Sequence, residues 1–252
     1  MKLIILILLL SSCTTTTKTT EEVISEEKPE RLGGAIPSTD IVSGINTINL
    51  GKKLKLWSTY YFTPSFISGS GSYCLRDKNA KCISRGLSLD QWCMIGLQGT
   101  GLVDSKTYTY SKPTSSKRVP CEKSFLKRVS YAYSTGKIKY SVSKHREGHG
   151  NRNNPLTGLK SIACDQKVFK YGQKIYIPQA VSKAHNGVFI CEDVGGAVKG
   201  YHIDTFVGVV DLSRPSDFKN KYGVAFKYLP ANMRAYIKSN KRGTFEAYLV
   251  TE

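Results

Sequence analysis

The chain has 252 residues, enough for one sizeable domain or a core domain carrying a large insertion. Its 37 Lys/Arg against 19 Asp/Glu leave a formal charge of +18, which should attract an anionic polymer or a membrane surface. Nucleic acid is not expected as the partner: the sequence has no zinc-finger spacing, no basic helix feeding heptads and no aromatic signature of an RNA-binding sheet.

Met1-Lys2 forms a short positive start and Leu3–Leu10 an apolar run too short to span a bilayer, so residues 1–12 read as an export signal. Leu10-Ser11-Ser12-Cys13 looks like the lipobox of bacterial lipoproteins. That resemblance implies cleavage before Cys13 and a diacylglycerol on its thiol, anchoring the protein at the periplasmic face of an outer membrane or at the cell surface. Residues 13–45, rich in Thr and Glu and poor in apolar side chains, read as a disordered tether. No later segment is apolar enough to cross a membrane as a helix.

Lys53–Phe62 alternates like a strand and ends at Thr63-Pro64. Residues 65–155 then turn irregular, with one short helical candidate at Ser88–Met94, and read as an inserted domain. The insertion is basic: Asp104 to Lys160 holds thirteen Lys/Arg and three Asp/Glu, more than half of the whole excess. Besides Cys13 there are six cysteines, Cys74, Cys82, Cys93, Cys121, Cys164 and Cys191. In an exported chain they suggest disulfides, at least two, each lowering the entropy of the unfolded chain by roughly 3 kcal/mol in the loop-entropy account. No pair has C-x-x-C spacing, and His145, His149, His185 and His202 would have to converge to make a site, so neither metal nor cofactor is expected.

Strands return at Ser161–Cys164, Lys174–Ile177, Gly187–Cys191, His202–Val210 and Thr244–Val250, with short helices expected at Gln179–Ala184 and Ala231–Ser239. Strands so many and so short protect their edges by closing on themselves, which predicts a small β-barrel made of residues 46–64 and 156–252.

Two strings stand out: Ser161-Ile162-Ala163-Cys164-Asp165, and Glu192-Asp193-Val194-Gly195-Gly196-Ala197-Val198-Lys199-Gly200-Tyr201-His202-Ile203-Asp204. Together they resemble the three-aspartate (3D) domain, a double-psi β-barrel shared with membrane-bound lytic transglycosylase A. Trp57–Pro64 is similar to the aromatic opening strand of that family. The resemblance implies a mainly β fold, a double-psi β-barrel with a large disulfide-bearing inserted domain. It also implies cleavage of peptidoglycan glycan strands between N-acetylmuramic acid and N-acetylglucosamine with 1,6-anhydromuramyl ends; a monomer is expected. The family's aspartates fall on Asp165, Asp193 and Asp204, and the last corresponds to the general acid. The chain departs from the family at Lys170-Tyr171-Gly172, where Pro-Leu-Gly is usual, and at Cys164, where a β-branched residue is usual.

The residue chemistry points the same way. A glycosidic oxygen leaves only if it is protonated, so the enzyme needs a carboxyl that keeps its proton near neutral pH, and clustered, half-buried carboxylates supply one. Gly195 and Gly196 let backbone approach a sugar ring, and Lys199, His202, Tyr60 and Tyr61 are candidates to bind the polymer. A lysozyme-like hydrolase would need a second carboxylate, for which Glu147, in the polar run Lys144–Asn154, is the candidate. A non-catalytic wall-binding lipoprotein is the alternative outside enzymology. Asp165, Asp193 and Asp204 would in that case do no more than cap turns.

Overall fold

The longest strand, β1 (Leu50–Phe66), alternates as the sequence suggested: Leu54, Leu56 and Ser58 point inward while Lys53, Lys55, Trp57 and Thr59 point out. The computed structural model describes residues 48–113, 138–182, 185–214, 216–217, 220–238 and 244–251. The expected signal, tether and lipid-bearing Cys13 lie outside these residues, as does Cys121.

Six strands close a barrel in the order β10 (His202–Asp211), β7 (Ser161–Cys164), β9 (His185–Asp193), β8 (Lys174–Ser182), β11 (Phe245–Val250), β1, with β1 pairing back onto β10. Two of the six pairings are parallel, β1 with β10 and β7 with β9, and the rest are antiparallel. Closure removes free edges, and Leu56, Ile162, Ile175, Phe189, Ile203 and Ala247 fill the fully buried interior. The mainly β barrel expected from the sequence is the fold observed.

The helix expected at Gln179–Ala184 is instead the second half of β8 as far as Ser182, where Val181 and Ser182 pair with Asn186 and His185. Pro178 has no N–H to give the ladder, and the register slips between Tyr176 and Val181. That break looks from the sequence like the end of a strand. The helix expected at Ala231–Ser239 is present as Ala231–Lys238, and a further helix, Lys221–Tyr228, precedes it. These are α3 and α2 below.

The segment between β1 and β7 is less irregular than its composition suggested. β2 (Gly71–Arg76) and β3 (Cys82–Gly86) form a hairpin bridged by the Cys74–Cys82 disulfide. Then follow α1 (Leu89–Gln98), β4 (Thr100–Val103), β5 (Lys106–Pro113) and β6 (Ile138–Val142). β4 pairs in parallel with the last residues of β1, Ser65 with Leu102 and Phe66 with Val103, so the barrel sheet extends without a break into this segment. These strands escape a periodicity reading because β4 is buried on both faces and β5 and β6 are built from Lys, Thr, Ser and Tyr. A second disulfide, Cys164–Cys191, links the parallel strands β7 and β9, and Cys93 is also disulfide-bonded.

Candidate active site

Three barrel strands bring two of the candidate aspartates together. In the register, Asp204 on β10 lies opposite Ala163 on β7, and Ala163 lies opposite Asp193 at the end of β9. The two acidic residues therefore stand two strands apart, about 10 Å between backbones, with a methyl group between them. Any larger side chain at position 163 would fill the space that the carboxylates share.

Asp204 is half-buried at the floor of a cleft of about 350 Å³. Asp193, Ala163, Gly195, Gly196 and Tyr61 line the barrel side. The opposite wall comes from the inserted segment, with Gln98 and Gly99 at the end of α1 and Thr100, Thr109 and Tyr110 on β4 and β5, while His149–Asn151 and Asn153 close one end.

The far wall is held to the barrel by identifiable contacts. Ser88 and Gln91 cap the start of α1 reciprocally, and Gly99 ends it in the left-handed region at φ 81°, where an added Cβ would come within 2.4 Å of the Tyr110 ring. The β1–β10 register shifts where Tyr61 and Thr63 face Phe206 and Val209, the extra residue being on β10, and beside that shift the Phe62 N–H donates to Gln98 Oε1 at 3.2 Å. The Thr63 hydroxyl donates to the Glu147 carbonyl at 2.8 Å, and Thr107 to that of Arg146 at 2.7 Å.

Burial pushes Asp204 up to about 7, helped by the charge of Asp193 and opposed by a hydrogen bond from Thr59. Asp193 rises to about 6, also through burial, against the Val194 N–H and the Tyr61 hydroxyl, which donates to it at 3.0 Å. Burial is thus the main cause that holds both carboxyls above the usual carboxylate range. Asp204 is held by the Thr59 hydroxyl, 2.9 Å away, and Thr59 lies 2.8 Å from His202 Nε2. His202 is buried, stacked flat on Trp57 with ring centroids 3.5 Å apart, and burial lowers its pKa.

The other candidates lie elsewhere. Asp165 accepts the N–H groups of Gly200 at 2.8 Å and Lys167 at 3.0 Å, contacts that hold its pKa low. It braces the Gly195–Gly200 loop rather than facing the cleft. Lys199 is exposed beyond the cleft lining, and the Tyr60 hydroxyl turns away to donate to the Tyr222 carbonyl on α2 at 2.9 Å. The structure does not bring Glu147 to Asp204. Its carboxylate accepts the Gly158 N–H at 2.7 Å and lies against Gly208, four residues along β10 from Asp204, about 13 Å. One of its two carboxylate oxygens, Oε2, is thereby engaged in holding the loop at Gly158. Thr59 and Ala163 lie inside the family-like segments without being singled out there, and Gln98 and Tyr110 carry no motif. Thr59 had a trace in the sequence as an outward residue of an alternating strand, and Ala163 as a member of the Ser161–Asp165 string.

Residues 160–221 match the family model described as the 3D domain, as the two strings implied. Over 99 residues the chain is 31% identical to the membrane-bound lytic murein transglycosylase A homolog of Buchnera aphidicola subsp. Schizaphis graminum, a match covering 35% of this chain and 27% of that relative. The match thus spans about a quarter of the relative's length. Among solved structures, E. coli MltA with bound chitohexaose is similar over 78% of this chain and 72% of its own, at 12% identity and a TM-score of 0.50, a likeness of fold. The membrane-bound lytic murein transglycosylase from Agrobacterium tumefaciens aligns over 79% of this chain and 75% of its own, at 12% identity and a TM-score of 0.47.

Proposed function

We propose that this chain, with its 3D domain over residues 160–221, cleaves the β-1,4 glycosidic bond between N-acetylmuramic acid and N-acetylglucosamine in peptidoglycan as a lytic transglycosylase. One observation carries the reading. A carboxyl raised to about 7 stands on the floor of an open cleft, beside a second carboxyl. Such a group is protonated often enough at neutral pH to serve as an acid, and its conjugate base is strong enough to take a proton back.

In the reaction Asp204 protonates the glycosidic oxygen as the C1–O bond breaks. The resulting carboxylate then takes the proton of the muramyl 6-hydroxyl as that oxygen attacks C1, closing a 1,6-anhydro ring and restoring the acid. Asp193 supports both steps by keeping the Asp204 pKa high, and its own charge can stabilise the positive charge that develops at C1. Gly195 and Gly196 leave room for the sugar at one wall, and Tyr110 offers a ring at the other. The basic surface suits an anionic wall polymer. The export signal and Cys13, read from the sequence, would tether the enzyme to a membrane within reach of that wall.

Digestion of purified sacculi followed by mass spectrometry tests the proposal. Muropeptides with anhydro ends, one water lighter than reducing ends, are expected. Reducing ends would mean hydrolysis, and no soluble product would leave a wall-binding role.

A further inference from the structure

His202, Thr59 and Asp204 form a chain in which one hydroxyl proton faces two acceptors. Thr59 Oγ1 lies 2.8 Å from His202 Nε2 and 2.9 Å from Asp204 Oδ1. On the far side of the imidazole, Nδ1 lies 3.3 Å from the Ala197 carbonyl oxygen, which can only accept, so Nδ1 carries a proton. A neutral ring protonated there presents a lone pair at Nε2, and Thr59 must donate to it. The Thr59 oxygen can then meet Asp204 only by accepting, which requires a proton on Asp204.

With the imidazole neutral and Asp204 ionised, Thr59 can serve one partner and leaves the other lone pair against lone pair. Adding one proton to the set satisfies both contacts in either of two ways. Either Asp204 donates to Thr59 and Thr59 to Nε2, or Nε2 donates to Thr59 and Thr59 to the carboxylate. The two differ by a concerted shift of the Asp204 proton to Thr59 and the Thr59 proton to His202, with no bond to another atom made or lost and no co-reactant needed.

We propose that His202, through the Thr59 hydroxyl, is a positioning residue that retains the proton of Asp204, the three side chains holding one proton between them. The flat stack on Trp57, 5° between ring planes, keeps Nε2 aimed at Thr59. Among the described residues, Asp193 on β9, Tyr60 and Tyr61 on β1 and Tyr222 on α2 interact electrostatically with Asp204, and none of these four is cationic. His202 is the basic group joined to Asp204 by hydrogen bonds, through Thr59. The catalytic meaning of the chain rests on the reading of Asp204 as the acid.

The test is a titration of the purified protein without substrate. The Asp204 carboxyl carbon is followed by 13C NMR, assigned from its loss in Asp204→Asn, and the His202 ring nitrogens by 15N shifts. Wild type should show a protonated Nδ1 and an unprotonated Nε2 while Asp204 carries its proton. His202→Phe keeps a ring against Trp57 and removes both nitrogens, freeing Thr59 to donate to the carboxylate. Its Asp204 midpoint should fall by about one pH unit, and the alkaline limb of kcat/KM should move with it. Thr59→Val should also lower the midpoint, because the acid loses the oxygen to which it donates, and Thr59→Ser should restore it. If Thr59 were only a donor to the carboxylate, Thr59→Val would raise the midpoint instead. That rise, an unmoved midpoint in His202→Phe, or a proton on Nε2 rather than Nδ1 of the neutral ring overturns the proposal. A chain that behaves as expected in a protein releasing no muropeptides would overturn the glycan reading alone.

Discussion

Thr59 and Asp204 are direct partners in the parallel pairing of β1 with β10, and the hydroxyl of the first lies 2.9 Å from a carboxylate oxygen of the second. Trp57 and His202 are paired two residues earlier and share the same outward face, since side chains repeat every second residue along a strand. One register therefore sets three residues, Thr59, His202 and Trp57, around the Asp204 carboxyl. On the inward face, Ser58 and Thr205, the latter just after Asp204, join their hydroxyls at 2.9 Å inside the barrel and pin that register.

Replacing Asp204 by Asn should abolish glycan cleavage, by roughly 10³-fold or more, while leaving the fold intact. The same change should raise stability at alkaline pH. A carboxyl raised from 3.8 to about 7 binds its proton more tightly folded than unfolded. Its contribution is fully present below pH 3.8 and is lost as pH rises through 7. Above that range the variant should exceed wild type by on the order of 2 kcal/mol, discounted for partial solvent access. Denaturant titrations at pH 5 and pH 8.5, with the gain larger at the higher pH, would check it.

The reaction should slow as pH rises through about 7, because Asp204 must start protonated. Asp193→Asn removes the charge that helps hold that proton, so the alkaline limb of kcat/KM should move to lower pH. A limb that stayed in place would show that Asp193 does not act on the acid. The pH profile of muropeptide release for the two proteins decides this.

Ala163→Val places two methyl groups between Asp204 and Asp193. Because Ala163 lines the cleft, the expected effect is on binding, a KM higher by about tenfold with kcat less affected. The free protein should lose no more than about 2 kcal/mol. Steady-state kinetics on solubilised glycan strands would separate the two effects.

Glu147→Gln should leave glycan cleavage within about threefold of wild type while costing about 1–2 kcal/mol of stability, since the amide accepts the Gly158 N–H less well than a carboxylate does. A loss of a hundredfold or more would return Glu147 to the reaction and with it the hydrolytic alternative.

The Cys164–Cys191 bridge joins β7 to β9 immediately beside Ala163, Glu192 and Asp193, and spans 27 residues. Replacing both cysteines by Ala should cost about 3–4 kcal/mol in the loop-entropy account. Chemical denaturation of the double variant under oxidising conditions, against wild type, measures it.

Much of this protein could be read along the chain. The alternation of Lys53–Phe62, the short strands after Leu156 and the two strings ending at Asp165 and Asp204 are local patterns, and they led to a barrel and to Asp204 as the proposed acid. Only the tertiary structure decided which residues meet that acid. Asp193 reaches it through the β7–β9 and β7–β10 registers and Thr59 through the β1–β10 pairing across 145 residues of sequence, while the Phe62 N–H fixes Gln98 in the lining of the same cleft. Glu147, attractive as a lone acid in a polar run, was spent on a loop N–H that no spacing reveals. The physical reason is one of range. Periodicity records which face of a strand is buried, whereas register and bulges arise from long-range backbone pairing that leaves no mark on composition.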